Sequence, residues 1–169
     1  MCSRKYLLLS IVLVTIVLSS LTVASYAQRP PEESSKIGDK VRLHSIRGHA
    51  IQRGSEDRQW INASMVLVGE ITAMNQSRIN VEIQEGSIKI GDNGYAVKSG
   101  FARVLFQKFG WMNIVGNATG SDGTTFRFHL EGMLHIERPR LVIVGLAGPF
   151  SSGEDSYVLR LVTRIEKVT

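Results

Sequence analysis

The chain has 169 residues with 20 Lys and Arg, 15 Asp and Glu and a formal net charge of +5, which bounds it to one ordinary domain. Its single cysteine, Cys2, lies at the extreme N-terminus, so an intramolecular disulfide, a thiolate metal site and thiol catalysis by the domain that follows are all excluded. The charge is mild and interspersed, without the clustered basic stripe of a nucleic-acid binder.

The first 27 residues read as an export signal. Arg4 and Lys5 give a positive start, Leu7 to Leu18 is apolar apart from Ser10 and Thr15, and Ser25 and Ala27 are the small residues a signal peptidase reads. Cleavage is expected between Ala27 and Gln28. An uncleaved anchor is the alternative, since residues 6–27 are long enough to span a bilayer with the roughly 20 residues that requires. Either reading places residues 28–169 outside the cytoplasmic membrane, secreted or anchored, with membrane contact only through the N-terminal segment. Removing residues 1–27 takes away Arg4 and Lys5 and no acid, leaving 18 basic against 15 acidic residues, a net charge of +3. Residues 28–36, QRPPEESSK, read as a linker: Pro30 and Pro31 favour extended backbone and the rest offers nothing to bury.

From Ile37 to the C-terminus the chain reads as one β domain with a period of two. Lys40 to Gln52 is a weak strand, with Val41, Leu43 and Ser45 opposite Arg42, His44 and Ile46. His44 and His49 are five apart and would face opposite sides of a regular strand. Arg42, Arg47, Arg53 and Arg58 are interrupted by Glu56 and Asp57 and read as a solvated face. GSEDRQ is a polar loop. Trp60 to Met74 holds the run MVLVGEITAM, expected to meet apolar material on both faces at first. Arg78 to Gln84 turns Ile79, Val81 and Ile83 inward, and Asp92-Asn93-Gly94 reads as a tight turn. Phe101 to Gly110 fits a strand better than a helix. Trp111 to Thr119 is a strand, GSDG turns, Thr124 to Glu137 returns, and ERPR turns again. Leu141 to Ala147 is apolar on both faces, which implies a central strand, and Tyr157 to Val168 alternates once more. Trp60 and Trp111, each opening an apolar strand, read as core or rim. About eight short strands with short connections predict an all-β antiparallel sandwich or up-and-down barrel.

The strand TTFRFHLEGMLHIE sets Phe126, Phe128, Leu130, Gly132, Leu134 and Ile136 on one face. Arg127, His129, Glu131, Met133, His135 and Glu137 lie on the other. That second face is a wet surface or a metal site drawn from His129, Glu131, Met133 and His135. At about 3.3 Å per residue, His129 and His135 lie roughly 20 Å apart and cannot share one ion. Only i, i+2 neighbours approach chelation, with help from another strand. Met and His without Cys favour copper, with Met133 and His135 as the pair. Calcium would draw on the turns holding Asp92 and Asn93, Asp122, and Glu154 with Asp155, although no EF-hand string occurs. Three sequons, at Asn62, Asn75 and Asn117, agree with export and glycosylation. No G-x-S-x-G, H-E-x-x-H or phosphate-binding loop is present.

The string GDNGYAVKSGFARV, with the signal and the cysteine-free β pattern, resembles exported, signal-bearing β-domain proteins of archaea over about half of the mature chain. The resemblance implies location and fold class and brings no activity or cofactor with it. The expected function is a non-catalytic envelope or surface-recognition domain whose partner is a cell-envelope protein or glycan, not nucleic acid. A barrel carrying a small apolar ligand and an extracytoplasmic copper-binding protein are the alternatives.

The assignment of faces has a direct check. Phe128→Ala is expected to lose about 3–5 kcal/mol of stability as a truncated core aromatic, and His129→Ala to stay within about 0.5 kcal/mol as a surface change. Denaturant midpoints of the two variants should differ accordingly.

Overall fold

The computed structural model describes residues 35–54, 59–106, 110–138, 141–153 and 155–168. The signal or anchor of residues 1–27, most of the linker, Glu56, Asp57, Arg58 and Glu154 lie outside the described residues, as do the side chains of Ile136 and Glu137. Eight strands follow one another: β1 (Lys40–Gln52), β2 (Trp60–Asn75), β3 (Arg78–Ile90), β4 (Asn93–Leu105), β5 (Trp111–Gly120), β6 (Thr125–Arg138), β7 (Leu141–Ser151) and β8 (Ser156–Lys167). Each pairs antiparallel with the next, and β8 returns to pair with β1, from Val41–Lys167 to Gln52–Tyr157. The architecture is therefore a closed up-and-down β-barrel, not a sandwich. Closure pairs both strands that would otherwise be edges.

Alternation is what makes the wall close around a core. Leu43, Met65, Leu67, Ile83, Ile88, Ile114, Leu130, Leu146 and Leu159 are all but fully buried inside. An eight-stranded barrel is just wide enough for such side chains to fill it. Thr163 is the one buried polar residue among those described, and its hydroxyl donates to the Val144 carbonyl at 3.0 Å. Toward one end the core becomes aromatic. Phe126 and Phe150 stack at 4.8 Å, Tyr95 meets both edge-on at 4.7 and 4.9 Å, and Tyr157 lies 6.4 Å from Phe150.

Several sequence expectations are corrected by this geometry. β7 is paired on both sides, as every strand of a closed barrel is, but only one of its faces is covered: Gly145 and Ala147 on its outer side are exposed. The apolar run of β2 meets water from its start: Met65 and Leu67 point in, while Val66 is 40% exposed. Nothing among the described residues packs over that outer face. Of the two readings for Trp60 and Trp111, core is ruled out: each opens its strand out of phase with the buried set and is exposed. The β3–β4 turn is Gly91–Asp92, one residue earlier than expected, because Ile90 pairs with Asn93. Gly91 supplies the positive φ, +59°, that a two-residue hairpin turn needs at its first position. Finally, His44 and His49 do not oppose each other. A bulge between Ser45 and Arg47 adds one residue to β1, which restores Ala50 to the core and turns both histidines outward.

The registers also tilt the strands. Asn62 pairs with His49, and the ladder runs on through Arg160, Ala147, Glu131, Asn113, Arg103 and Asn80 to reach β2 again at Ala73. One circuit thus climbs from residue 62 to residue 73 of the same strand, the stagger that closure of tilted strands requires. The residues on this ring face outward, and the candidate sites lie along it.

Burial raises the phenol pKa of both Tyr95 and Tyr157 above the ordinary 10.0, with the nearby Asp155 carboxylate adding to it. The folded state therefore keeps protons that the unfolded chain releases. Stability is full below about pH 10 and falls as pH rises toward the folded values. The Tyr95→Phe, Tyr157→Phe double variant should lose less stability than the natural chain between pH 9 and pH 11, measured by urea midpoints at each pH.

Candidate functional site

The outer wall carries two clusters on the ring just traced. The first joins β1, β2 and β8. His49 pairs in register with Arg160 on one side and Asn62 on the other, and Ile51 pairs with Trp60. The His49 and Trp60 rings meet edge to face at 4.1 Å, and the Arg160 guanidinium sits 5.9 Å from the Trp60 ring centroid. Trp60 nevertheless remains 60% exposed. An indole packed between an imidazole and a guanidinium presents an exposed apolar surface with one cationic group, Arg160, at its edge. Among the described residues, neither Arg160 nor His49 has a carboxylate partner.

The second cluster joins β5 and β6. His129 and Glu131 project from the same side of β6, and Asn113 pairs in register with Glu131. Asn113 Nδ2 lies 2.7 Å from His129 Nε2 and 3.0 Å from Glu131 Oε1. His129 Nε2 and Glu131 Oε1 are 3.1 Å apart, with both side chains about half exposed. Of the four residues expected around a metal, the structure brings His129 and Glu131 together and adds Asn113. Met133 is 52% exposed and pairs across the ladder with Trp111, while His135 is exposed and pairs with Ile143. No group of three or more His, Cys, Asp or Glu gathers among the described residues.

The turns expected for calcium fall at one end of the barrel, with Glu154 outside the described residues, and the Asp122 carboxylate is engaged within its own turn. The Asp122 carboxylate accepts from the Thr124 N–H and hydroxyl, contacts that hold its pKa below the ordinary 3.8. Asp92 and Asp155 are exposed. The three sequon asparagines are also exposed. Asn62 and Asn117 sit within ladders, whereas Asn75 ends β2. The N–H groups of Ser77 and Arg78 and the Ser77 hydroxyl donate to its Oδ1, closing an Asx turn.

Two concavities among the described residues open outward. One, of about 330 Å³, is lined by Ser99, Gly100, Phe101, Val115, Gly116, Asn117 and Phe128. It forms where Gly100 pairs with Gly116 beside a bulge in β4. A Cβ on Gly116 would lie 2.5 Å from the Phe128 ring, so the aromatic side chain covers the bare backbone from within. The other, of about 260 Å³, lies against Arg42, Glu166, Lys167 and Val168. The interior itself is filled by the buried side chains, which is unfavourable to a carrier of apolar ligands.

These features define a closed antiparallel barrel with a packed core and a mixed outer wall bearing an aromatic–cationic platform. No protein-family model, no curated protein and no solved structure matches the chain.

The sequence drew notice to Trp60 and His49 separately, but not to their meeting with Arg160. The phase of Trp60 against Ala63, Met65 and Leu67 held the signal, since a residue on the other parity faces outward. No comparable signal linked His49 to Arg160, which are separated by most of the chain.

Proposed function

We propose that this chain is an exported, non-catalytic β domain that recognises an acidic glycan of the cell envelope through the Trp60 platform. The single observation that carries the reading is the 60% exposed indole of Trp60 braced by His49 and Arg160. A pyranose ring offers an apolar C–H face that stacks on an indole, as binding sites for polar ligands combine one apolar surface with a few directional polar groups. Arg160 beside it supplies a forked donor that matches a carboxylate. Arg160, with no carboxylate partner among the described residues, supports complementarity of the platform to an anion. A uronate residue joins the two chemistries in one unit. The export-type N-terminal sequence supports a location where such polymers occur, and the filled interior leaves the outer wall as the recognition surface.

Binding of the full chain to polygalacturonate and to a neutral glucan, followed by surface plasmon resonance, tests this. The acidic polymer should be preferred. Trp60→Ala should weaken binding about tenfold or more, consistent with loss of an anchoring aromatic worth at least 1–2 kcal/mol, and Arg160→Gln should remove the preference for the acidic polymer. Equal binding by the Trp60→Ala variant would overturn the proposal, as would capture of an envelope protein with no affinity for either polysaccharide.

A further inference from the structure

The triangle formed by Asn113, His129 and Glu131 contains a conflict of hydrogen-bonding roles. If His129 Nε2 carries a proton, that N–H can donate to Glu131 Oε1 at 3.1 Å but is opposed by the amide nitrogen of Asn113, 2.7 Å away. If Nε2 is unprotonated, the Asn113 amide can donate one N–H to it and the other to Glu131 Oε1, but those two acceptors then face each other at 3.1 Å. Neither state satisfies both neighbours. Turning the Asn113 amide through half a rotation exchanges Nδ2 for Oδ1 without moving its frame. Three acceptors then converge: an imidazole nitrogen, a carboxylate oxygen and an amide oxygen. A positive centre placed among them resolves the conflict.

The size of the triangle identifies that centre. Donors about 2.1 Å from one ion and at right angles to each other stand about 3.0 Å apart. The three sides here are 2.7, 3.0 and 3.1 Å. The strand geometry accounts for the match. His129 and Glu131 are i, i+2 neighbours on one face of β6, and Asn113 enters from β5 directly opposite Glu131. We propose that Asn113, His129 and Glu131 form a three-donor site for a divalent transition-metal ion on the outer wall of the barrel. One imidazole nitrogen with two oxygens is a borderline donor set, suited to zinc(II) or copper(II) and poorly suited to the softer copper(I) that a Met133–His135 pair would favour. The side chains are half exposed, so the remaining coordination positions open to solvent and accept water or an anionic ligand. This site is independent of the Trp60 platform, and either one stands without the other.

Zinc chloride titrated calorimetrically into the full chain at pH 7.5 tests the assignment, with magnesium as the control. One equivalent of zinc should bind at this site, and magnesium should not. His129→Ala should weaken that binding at least about tenfold, as loss of a ligand does. Asn113→Asp should tighten it by replacing a neutral oxygen with a charged one, which also provides a variant whose response is a gain and not a loss. Met133→Leu and His135→Ala should leave the isotherm unchanged. Absence of zinc binding would overturn the proposal, as would binding indifferent to His129→Ala in a variant with an unaltered unfolding midpoint, or binding that follows Met133 and His135 instead. Nuclear magnetic resonance titration of the His129 ring separates the remaining case. A ring that holds a proton at pH 7.5 and ignores added zinc means that an imidazolium N–H, not a metal, fills the triangle.

Discussion

The pairing of β8 with β1 is the constraint on which the rest of this structure depends. Without it the chain is an eight-stranded meander with two unpaired borders and an apolar face that has nothing to cover it. With it, one sheet becomes its own partner and each strand's alternation acquires an inside and an outside. The seam is not uniform. It contains the β1 bulge between Ser45 and Arg47, where the extra residue changes the parity of everything after it. Ser45 lies next to that irregularity, and its hydroxyl accepts from the Met65 N–H at 2.8 Å, tying the distorted stretch to β2. His49 faces Trp60 because of this irregularity. The same element that closes the barrel also assembles the exposed indole platform.

Much of the fold was legible in the alternation of residues. Val81 and Ile83, Phe126 and Phe128, and Leu159 and Leu161 occupy the interior as their period demands. Reading failed where the period is broken or where both parities are apolar. The β1 bulge leaves no mark in composition, so His44 and His49 were assigned to opposite faces. The runs in β2 and β7 are apolar on both parities because their outer positions hold small or β-branched residues such as Val66 and Ala147, which fit the pleated wall without being buried. The hairpin at Gly91 was displaced by one because Asn93-Gly94 is the stronger local turn signal, while the ladder register selects Gly91–Asp92.

Site chemistry was less legible for a related reason. The face holding His129 and Glu131 could be read within one strand, and their i, i+2 spacing was the useful clue. Asn113 lies 16 and 18 residues away from them and reaches them through the β5–β6 register, which a single strand's pattern does not contain. The Trp60 cluster depends on the closing seam, the pairing with the largest separation in sequence. Chemistry built across ladders is fixed by register, and register is a property of the whole sheet. Both clusters lie on the ring that climbs from residue 62 to residue 73, and the pairing of Arg160 with Ala147 and of Ala147 with Glu131 sets them two ladder steps apart.

The meeting of the first and last strands' outer ends also bears on topology. The Val168 N–H donates to the Lys40 carbonyl at 2.9 Å, and the Lys167 ammonium and Asp39 carboxylate lie 2.8 Å apart. A short peptide joining residue 168 to residue 36 would therefore extend over little distance and disturb no ladder. Such a chain could begin at any of the hairpins, for example between Gln76 and Ser77, and would still run through eight successive antiparallel partners. The order of synthesis is thus separable from the order of assembly. Circularly permuted chains cut at different turns should all form the cylinder and differ only in how fast they form it.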